Sequence, residues 1–497
     1  MANSDRARIR ALERQVALLQ SQNAKLMALV EKLEARLRQN STNSSMPPSS
    51  DLPKGKSPGD ASAAPNDTAS SEAASSEAGE PAPSGRGAAG DAKTTKRTAG
   101  GQVGHQGAHR PLEDASKVDR FHDHFPASCE RCEHPLAPTP DANATRVQQL
   151  EMPPIRPQLH EHRLHGLTCA CGHVTRATMP KAVPRGLFGV RLLAILATLT
   201  GSFRLSKRNT QRLLSTVLGV DASVGAISAA EGRVSDALQA PYDAAVAFAQ
   251  AQPVAHADET SWRERRKRTW LWTLTTASVA IFMLQSSRGA EHARRLLGGF
   301  RGILVSDRFK SYGFVGMRRR QVCWAHLERD FTALAEARDG SFAQVAGAAL
   351  IVQIELLWKA WHQARDGTLT RAQFQRAMKP IQTRIRSLLR EGARSPCLVL
   401  RGKTKDIWAH RDALFTFVRH ADVPPTNNAA ERAVRHAVIL RKTSFGTHSE
   451  AGSRFIERIL TVHETLRIQE RNVVEFIADA IEARLAGTPP PSLIVAT

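Results

Sequence analysis

The stretch from Val254 to Trp324 limits the fold more than any other part of the chain. Val254–Ala257, Trp270–Thr276 and Ser278–Gln285 are short apolar runs that read as strands. A basic turn of Arg263, Arg265, Arg266, Lys267 and Arg268 lies between the first and second. Gly289–Leu297 reads as a helix, Gly302–Ser306 as a further strand and Arg320–Trp324 as a fifth, followed by the helical AHLERDF. The predicted order is strand–strand–strand–helix–strand–helix–strand, then helices. That order suits a mixed sheet with helices on its faces.

Two of these strands lead into aspartate: Asp258 in VAHADET and Asp307 in ILVSDRFKSYG. A third acidic residue, Glu431, sits in a predicted helix that begins within NNAAERAVRHAVILRKTSFG. Read alone, Glu431 has ordinary uses. Asn428 and Glu431 have the spacing of a capping box, and Glu431 and Arg435 that of an i,i+4 ion pair. Asp258 and Asp307 could equally be turn residues. Brought together, three carboxylates repel one another unless cations neutralise them. Mg²⁺ takes a few carboxylates together with waters and phosphate oxygens. Two such ions about 3.5–4 Å apart can serve an in-line displacement at phosphorus. Basic residues for a DNA backbone follow the acids: Arg308 and Lys310 after the second, and Arg435, Arg441 and Lys442 after the third. The strand order suits a mixed sheet such as that of the RNase H-like fold, with helical patterns at Phe342–Trp361 and Thr370–Leu389 reading as an insertion before the glutamate.

Three neighbours carry alternatives. Glu259 is a spare ligand only if alternation along its strand does not turn it away from Asp258. Cys323 and His326 either bind metal or pack behind the core. Tyr312 stacks on a base, covers the sheet, or serves as a covalent nucleophile, although the Arg/His/Tyr set that the last chemistry needs is not evident.

Upstream, Ile9, Leu12, Val16, Leu19, Asn23, Leu26, Val30, Leu33 and Leu37 alternate spacings of three and four. Leu at every d position and one central Asn23 at a predict a parallel two-stranded coiled coil, hence a homodimer or higher oligomer. The alternative is an amphipathic helix packed on its own chain. A Pro/Gly/Ala/Ser-rich stretch to about Ala99 reads as a disordered linker, and the basic, glycine-rich GGQVGHQGAHR either lies along DNA or continues that linker. Cys129-x-x-Cys132 and Cys169-x-Cys171 frame a small module, and four thiolates in two tight pairs suit a structural Zn²⁺. His122, His124, His134 and His173 lie near enough in sequence to replace one cysteine. Residues 186–250 are helical, and Lys207–Leu218, Gly219–Ser223 and Val224–Leu238 resemble a helix-turn-helix.

The 497 residues carry 69 Lys+Arg against 47 Asp+Glu, a net charge of +22 that points to a polyanionic partner. Six cysteines do not make a disulfide scaffold. The N-terminus lacks the apolar core of a signal peptide. The apolar run at Leu192–Phe203 is too short to span a bilayer. The expected location is a reducing, cytoplasmic compartment, with no membrane. The predicted class is multidomain α+β: coiled coil 1–40, linker 41–118, zinc-ribbon-like module 119–180, helical DNA-binding region 181–250, core 251–335, helical insertion 336–422, and 423–497 with the glutamate helix and C-terminal helices.

QNSTNSSMPPSSD after a coiled coil, GGQVGHQG, the paired cysteines, HADET, SDRFKSYG, CWAHLERDF and NNAAERAVR…RKTSFG occur in this order along nearly the whole chain. Together they resemble the DDE transposases of the insertion sequence 66 family. The resemblance implies an RNase H-like catalytic core with Asp258, Asp307 and Glu431 as its three acidic positions, holding two Mg²⁺ or Mn²⁺ ions. It implies cleavage at element ends and transfer of the freed 3′-hydroxyls into target DNA, assisted by other products of the same element. The CxC pair departs from a regular zinc ribbon. Two other readings are a non-catalytic DNA-binding regulator and a metal-dependent DNA nuclease without strand transfer.

Overall fold

The computed structural model describes residues 111–336 and 342–495. The coiled coil and the linker up to residue 110 lie outside the described residues. Strands β1 (Gly166–Thr168) and β2 (Val174–Arg176) form a small antiparallel hairpin. Helices α1 (Val190–Ala197), α2 (Lys207–Leu218), α3 (Val224–Ala237) and α4 (Gln239–Ala251) follow. The predicted turn between α2 and α3 falls where expected. Ser206 caps α2 by accepting from Asn209 N, left-handed Gly219 ends it, and Ser223 caps α3 by accepting from Ala226 N.

Next come β3 (Val254–Glu264), β4 (Lys267–Thr275), β5 (Ala280–Gln285), α5 (Ala290–Leu297), β6 (Ile303–Ser306) and β7 (Arg320–Val322). They form one sheet in the order β5-β4-β3-β6-β7, with β3, β4 and β5 antiparallel and β6 and β7 parallel to β3. The fold is therefore mixed α+β, as the strand order predicts, with two differences in detail. Strand β3 does not stop at Ala257. Its parallel partner β6 covers only Val254–His256, but β4 pairs with it as far as Glu264, so Asp258 lies within a strand rather than after one. No helix separates Asp307 from Arg320. Two 3-10 turns, Lys310–Tyr312 and Met317–Arg319, fill that connection, and Tyr312 and Val315 turn into the core.

Helices α6 (Trp324–Ala335), α7 (Phe342–Arg365), α8 (Arg371–Gly392), α9 (Leu398–Ala409) and α10 (Thr416–Arg419) share an apolar core of their own, joined to Val305 and Val322 of the sheet. Helix α7 is long and apolar enough to cross a membrane by length and composition, at a mean hydropathy of 1.3, which the expectation based on Leu192–Phe203 overlooked. Its inner face, including Gly347, Leu350, Ile354 and Leu357, packs into that core. Helix α11 (Asn428–Ser444) then returns to the sheet and packs on β3 and β4. Two C-terminal helices follow, α12 (Glu450–Ile468) and α13 (Val473–Ala486).

Helix α12 closes the sheet's β5 edge. Glu457 Oε1, Thr461 Oγ1 and Thr465 Oγ1 accept the backbone N–H groups of Leu284, Phe282 and Ala280 at 2.6, 3.1 and 3.1 Å. Four residues of helix rise about 6 Å and two residues of strand about 6.8 Å, so side chains at i, i+4 and i+8 keep step with alternate strand amides. The helix thus occupies an edge where another strand could otherwise pair.

Candidate active site

Strand β3 supplies Asp258 and the end of β6 supplies Asp307. The parallel register pairs His256 with Val305, and each aspartate stands two residues beyond its member of that pair. Asp307 Oδ1 accepts from Phe309 N at 2.8 Å, which fixes the turn that leaves the strand. Asp258 Oδ1 accepts from Glu259 N at 2.9 Å. Burial above all, then the neighbouring Glu259, pushes the Asp258 carboxyl up to about 7, with smaller pushes from Asp307 and Glu431. The three acids therefore share one electrostatic neighbourhood, although they come from three separate elements.

Glu431 reaches this place because α11 is pinned at its start. The N-cap is Asn427, not Asn428 as the capping-box reading expects, and its side chain caps nothing. Asn427 is buried; its Nδ2 donates to Ala257 O at 2.9 Å and its Oδ1 lies 3.3 Å from His256 Nδ1. Its backbone N–H donates to Cys323 Sγ at 3.2 Å. One residue thus ties the glutamate helix to β3 and to the end of β7. The Glu431 carboxylate lies 3.6 Å from His326 Nδ1 and 3.9 Å from Cys323 Sγ, so its neighbours are these two side chains rather than the Arg435 of the i,i+4 reading.

Cys323, His326 and Glu431 bring ligand atoms within 4.8 Å of one another. Cys323 is buried and accepts from a backbone amide, as a packing residue does. His326 instead stands on the open side, half-buried beside Glu431. Burial and the nearby Arg329 lower its pKa, which favours a neutral imidazole able to ligate. A cleft of about 450 Å³ opens here, lined by Asp307, Arg308, Phe309, His326, Arg329, Asp330 and Asp406. His436, His463 and Glu464 make a second such group among the described residues, where Glu464 also pairs with Arg467 at 2.8 Å.

The remaining sequence-predicted residues divide. Glu259 points away from Asp258, as alternation requires, into a buried network. Tyr312 Oη donates to its Oε2 at 2.6 Å and Arg288 Nε to its Oε1 at 2.7 Å. Tyr312 is fully buried, edge-on to Trp272 and Phe309, so it covers the sheet and neither stacks on a base nor attacks phosphorus. Arg308 is held by Asp330 at 2.6 Å and Asp406 at 2.8 Å. Arg441 donates to Ser261 O at 2.7 Å and clamps α11 onto β3. Lys310, Arg435 and Lys442 are exposed. Asn427 and His326 are the contributors that sequence reading undervalued. NNAAER and CWAH show both residues, but only the packing of α11 against β3 and β7 reveals their place.

The four paired cysteines form two like turns. Cys129 N donates to His134 O at 2.9 Å and Cys169 N to His173 O at 2.8 Å, and each cysteine's carbonyl accepts a turn-closing amide from Glu133 or Gly172. Glu133 and Gly172 both take positive φ, 58° and 86°. Neither three-residue group above includes these cysteines.

A family model described as Transposase IS66 family matches residues 185–454, from the helical region through the glutamate helix. The chain belongs to the IS66 transposase family. A second model, described as a family of unknown function (DUF6444), matches residues 2–80. Among curated proteins, the chain is similar to three uncharacterized proteins of Sinorhizobium fredii (strain NBRC 101917 / NGR234). It is 26% identical to y4hP over 69% of this chain and 68% of that protein. It is 25% identical to y4qI over 45% of each, and 23% identical to y4jD over 52% of this chain and 55% of that one. The chain thus spans about half the length of the latter two. Membership supports a transposase role; the family implies DNA as partner and suggests the use of a divalent metal.

Proposed function

We propose that this transposase cleaves DNA at the ends of its element and joins the freed 3′-hydroxyls to target DNA, using Asp258, Asp307 and Glu431 to hold two Mg²⁺ or Mn²⁺ ions. The observation that carries the reading is the shared neighbourhood of three carboxylates from three elements, beside a cleft whose lining mixes Asp307, Asp330 and Asp406 with Arg308, His326 and Arg329. The donor set fits hard divalent cations: carboxylate oxygens predominate, and the one nearby thiol already accepts from Asn427 N. Bound there, the ions would activate the attacking oxygen and stabilise the leaving one. The protein's own groups do the rest. Asn427 holds Glu431 towards the sheet, the Phe309 amide orients Asp307, and exposed Arg329 and Arg435 offer charge to the phosphates flanking the reacting one. The β5-β4-β3-β6-β7 order supports an RNase H-like core, and α2 with α3 supports a helix-turn-helix that contacts end sequences.

In the same reading, Cys129, Cys132, Cys169 and Cys171 hold a structural Zn²⁺. No residue from 119 to 180 is buried, so an apolar core does not supply that module's folding energy, and a metal would. The N-terminal heptads, outside the described residues, would pair two protomers so that both element ends are held.

The test uses the purified chain, Mg²⁺ and labelled DNA carrying the gene's own flanks. Asp258→Asn, Asp307→Asn and Glu431→Gln should each lower 3′-end cleavage and joining at least about 100-fold while DNA binding persists. Variants that make product as wild type does would remove this site. Cleavage without joining by the wild type would favour a nuclease over strand transfer.

A further inference from the structure

Helix α11 ends on Phe445, whose ring is 79% exposed on a backbone at φ 59° and ψ 16°. Among the described residues it is the one apolar side chain at positive φ. A bulky side chain is disfavoured in that conformation, where glycine or asparagine is usual. Glycine stands one residue later, at Gly446, where a Cβ would meet Arg263 O at 2.2 Å. Phe445 therefore combines two unfavourable features, an exposed ring and a left-handed backbone. Its surroundings hold the backbone there. Thr447 N donates to Arg263 O at 2.9 Å and Arg265 N to Thr447 O at 3.0 Å, which fastens the segment after Phe445 to the β3–β4 hairpin tip.

That tip is strongly cationic. Arg263, Arg265, Arg266, Lys267 and Arg268 are exposed, and Arg265 and Arg266 make the two-residue turn at φ 48° and 67°. The one acid within it, Glu264, is bonded to the Ser453 hydroxyl. Exposed Arg432, Arg435 and Lys442 continue the positive charge along α11 towards Glu431. The spacing is consistent along both elements. Glu264 lies six residues beyond Asp258 on β3, about 20 Å. Phe445 lies fourteen residues beyond Glu431 on α11, about 21 Å. At about 3.4 Å per base pair, both distances come to about six base pairs.

We propose that Phe445 is a wedge that enters a base step of duplex DNA about six base pairs from the reacting phosphate, while the hairpin-tip arginines and Lys442 hold the flanking phosphates. An aromatic ring on a fixed backbone can unstack a step, and cations beside it hold the bent duplex. The positive charge favours DNA over a second copy of this equally basic chain. The spacing, though not the wedge, rests on the acidic site proposed above.

The experiment places 2-aminopurine at successive steps of a duplex carrying the gene's flanks and compares the full-length wild type with Phe445→Trp, Phe445→Ala and Phe445→Gly. Wild type and Phe445→Trp should brighten one or two adjacent steps. Phe445→Ala and Phe445→Gly should lose that signal and bind about tenfold more weakly. Phe445→Gly should melt no lower than wild type, since glycine suits the conformation, so its loss of signal is not unfolding. No brightening at any step of the bound wild-type duplex overturns the wedge. So does Phe445→Ala with wild-type signal and affinity, or with altered self-association alone. Asp307→Asn should keep the signal. If that variant also cuts normally, the acidic site falls and the wedge, read without any cutting, stands.

Discussion

A hydroxyl on a fully buried ring cannot attack phosphorus. Tyr312 donates its proton to Glu259, and that bond together with Arg288 opposes burial, which still raises the Glu259 carboxyl above its ordinary value. Tyr312→Phe should therefore cost about 1.5–3 kcal/mol, the range for a hydrogen bond to a charged group, while cleavage and joining rates hold. Calorimetry and a cleavage assay check this together, and loss of product without loss of the melting transition would restore the nucleophile. At this scale the sequence reading was uneven. Alternation along β3 turned Glu259 away from Asp258 correctly, because a strand's period of two is geometric. It could not show that Arg288 and Tyr312 wait there. Asn427 was hidden for the same reason. A helix-entry asparagine looks like a cap, and only its contacts with Ala257 and Cys323 make it the anchor of Glu431.

The strands were legible because each is a short apolar run bounded by turns, and α2 and α3 because Ser206, Gly219 and Ser223 punctuate them. The edge cover was not legible. Glu457, Thr461 and Thr465 recur every four residues, the pattern of a solvated helix face, yet they are buried against β5. Glu457 carries a consequence. Burial pushes its carboxyl from 4.5 up to about 6, with Leu284 N and Arg454 opposing. A folded-state pKa above the unfolded one contributes stability that is full below about pH 4.5 and is lost as pH rises through about 6, a change of about 2 kcal/mol. Glu457→Gln keeps an acceptor for Leu284 N and removes the titration. Its melting temperature relative to wild type should therefore climb between pH 4.5 and 7. A difference that stays flat across that window would show that Glu457 titrates normally in the fold.

For the molecule as a whole, the net charge of +22 pointed to a polyanion, but a total does not say which cations are free. Arg308 is spent on Asp330 and Asp406, and Arg441 on Ser261, so two of the five predicted DNA contacts are occupied in holding the fold. Arg432, Arg435 and Lys442 are exposed along one side of α11, between the proposed cutting site and the hairpin tip. Each phosphate neutralised by a cation releases condensed counterions and adds about 0.9 to the slope of log affinity against log salt. Replacing all three with alanine should flatten that slope by about 2 to 3. Replacing Arg308 and Arg441 instead should leave the slope nearly unchanged and lower the melting temperature, because those side chains bind protein. The measurement is a salt titration of duplex affinity alongside thermal melts for both sets. An unchanged slope in the triple variant would move the DNA path off α11, while a flattened slope in the Arg308 and Arg441 variant would show that those ion pairs open to receive phosphate.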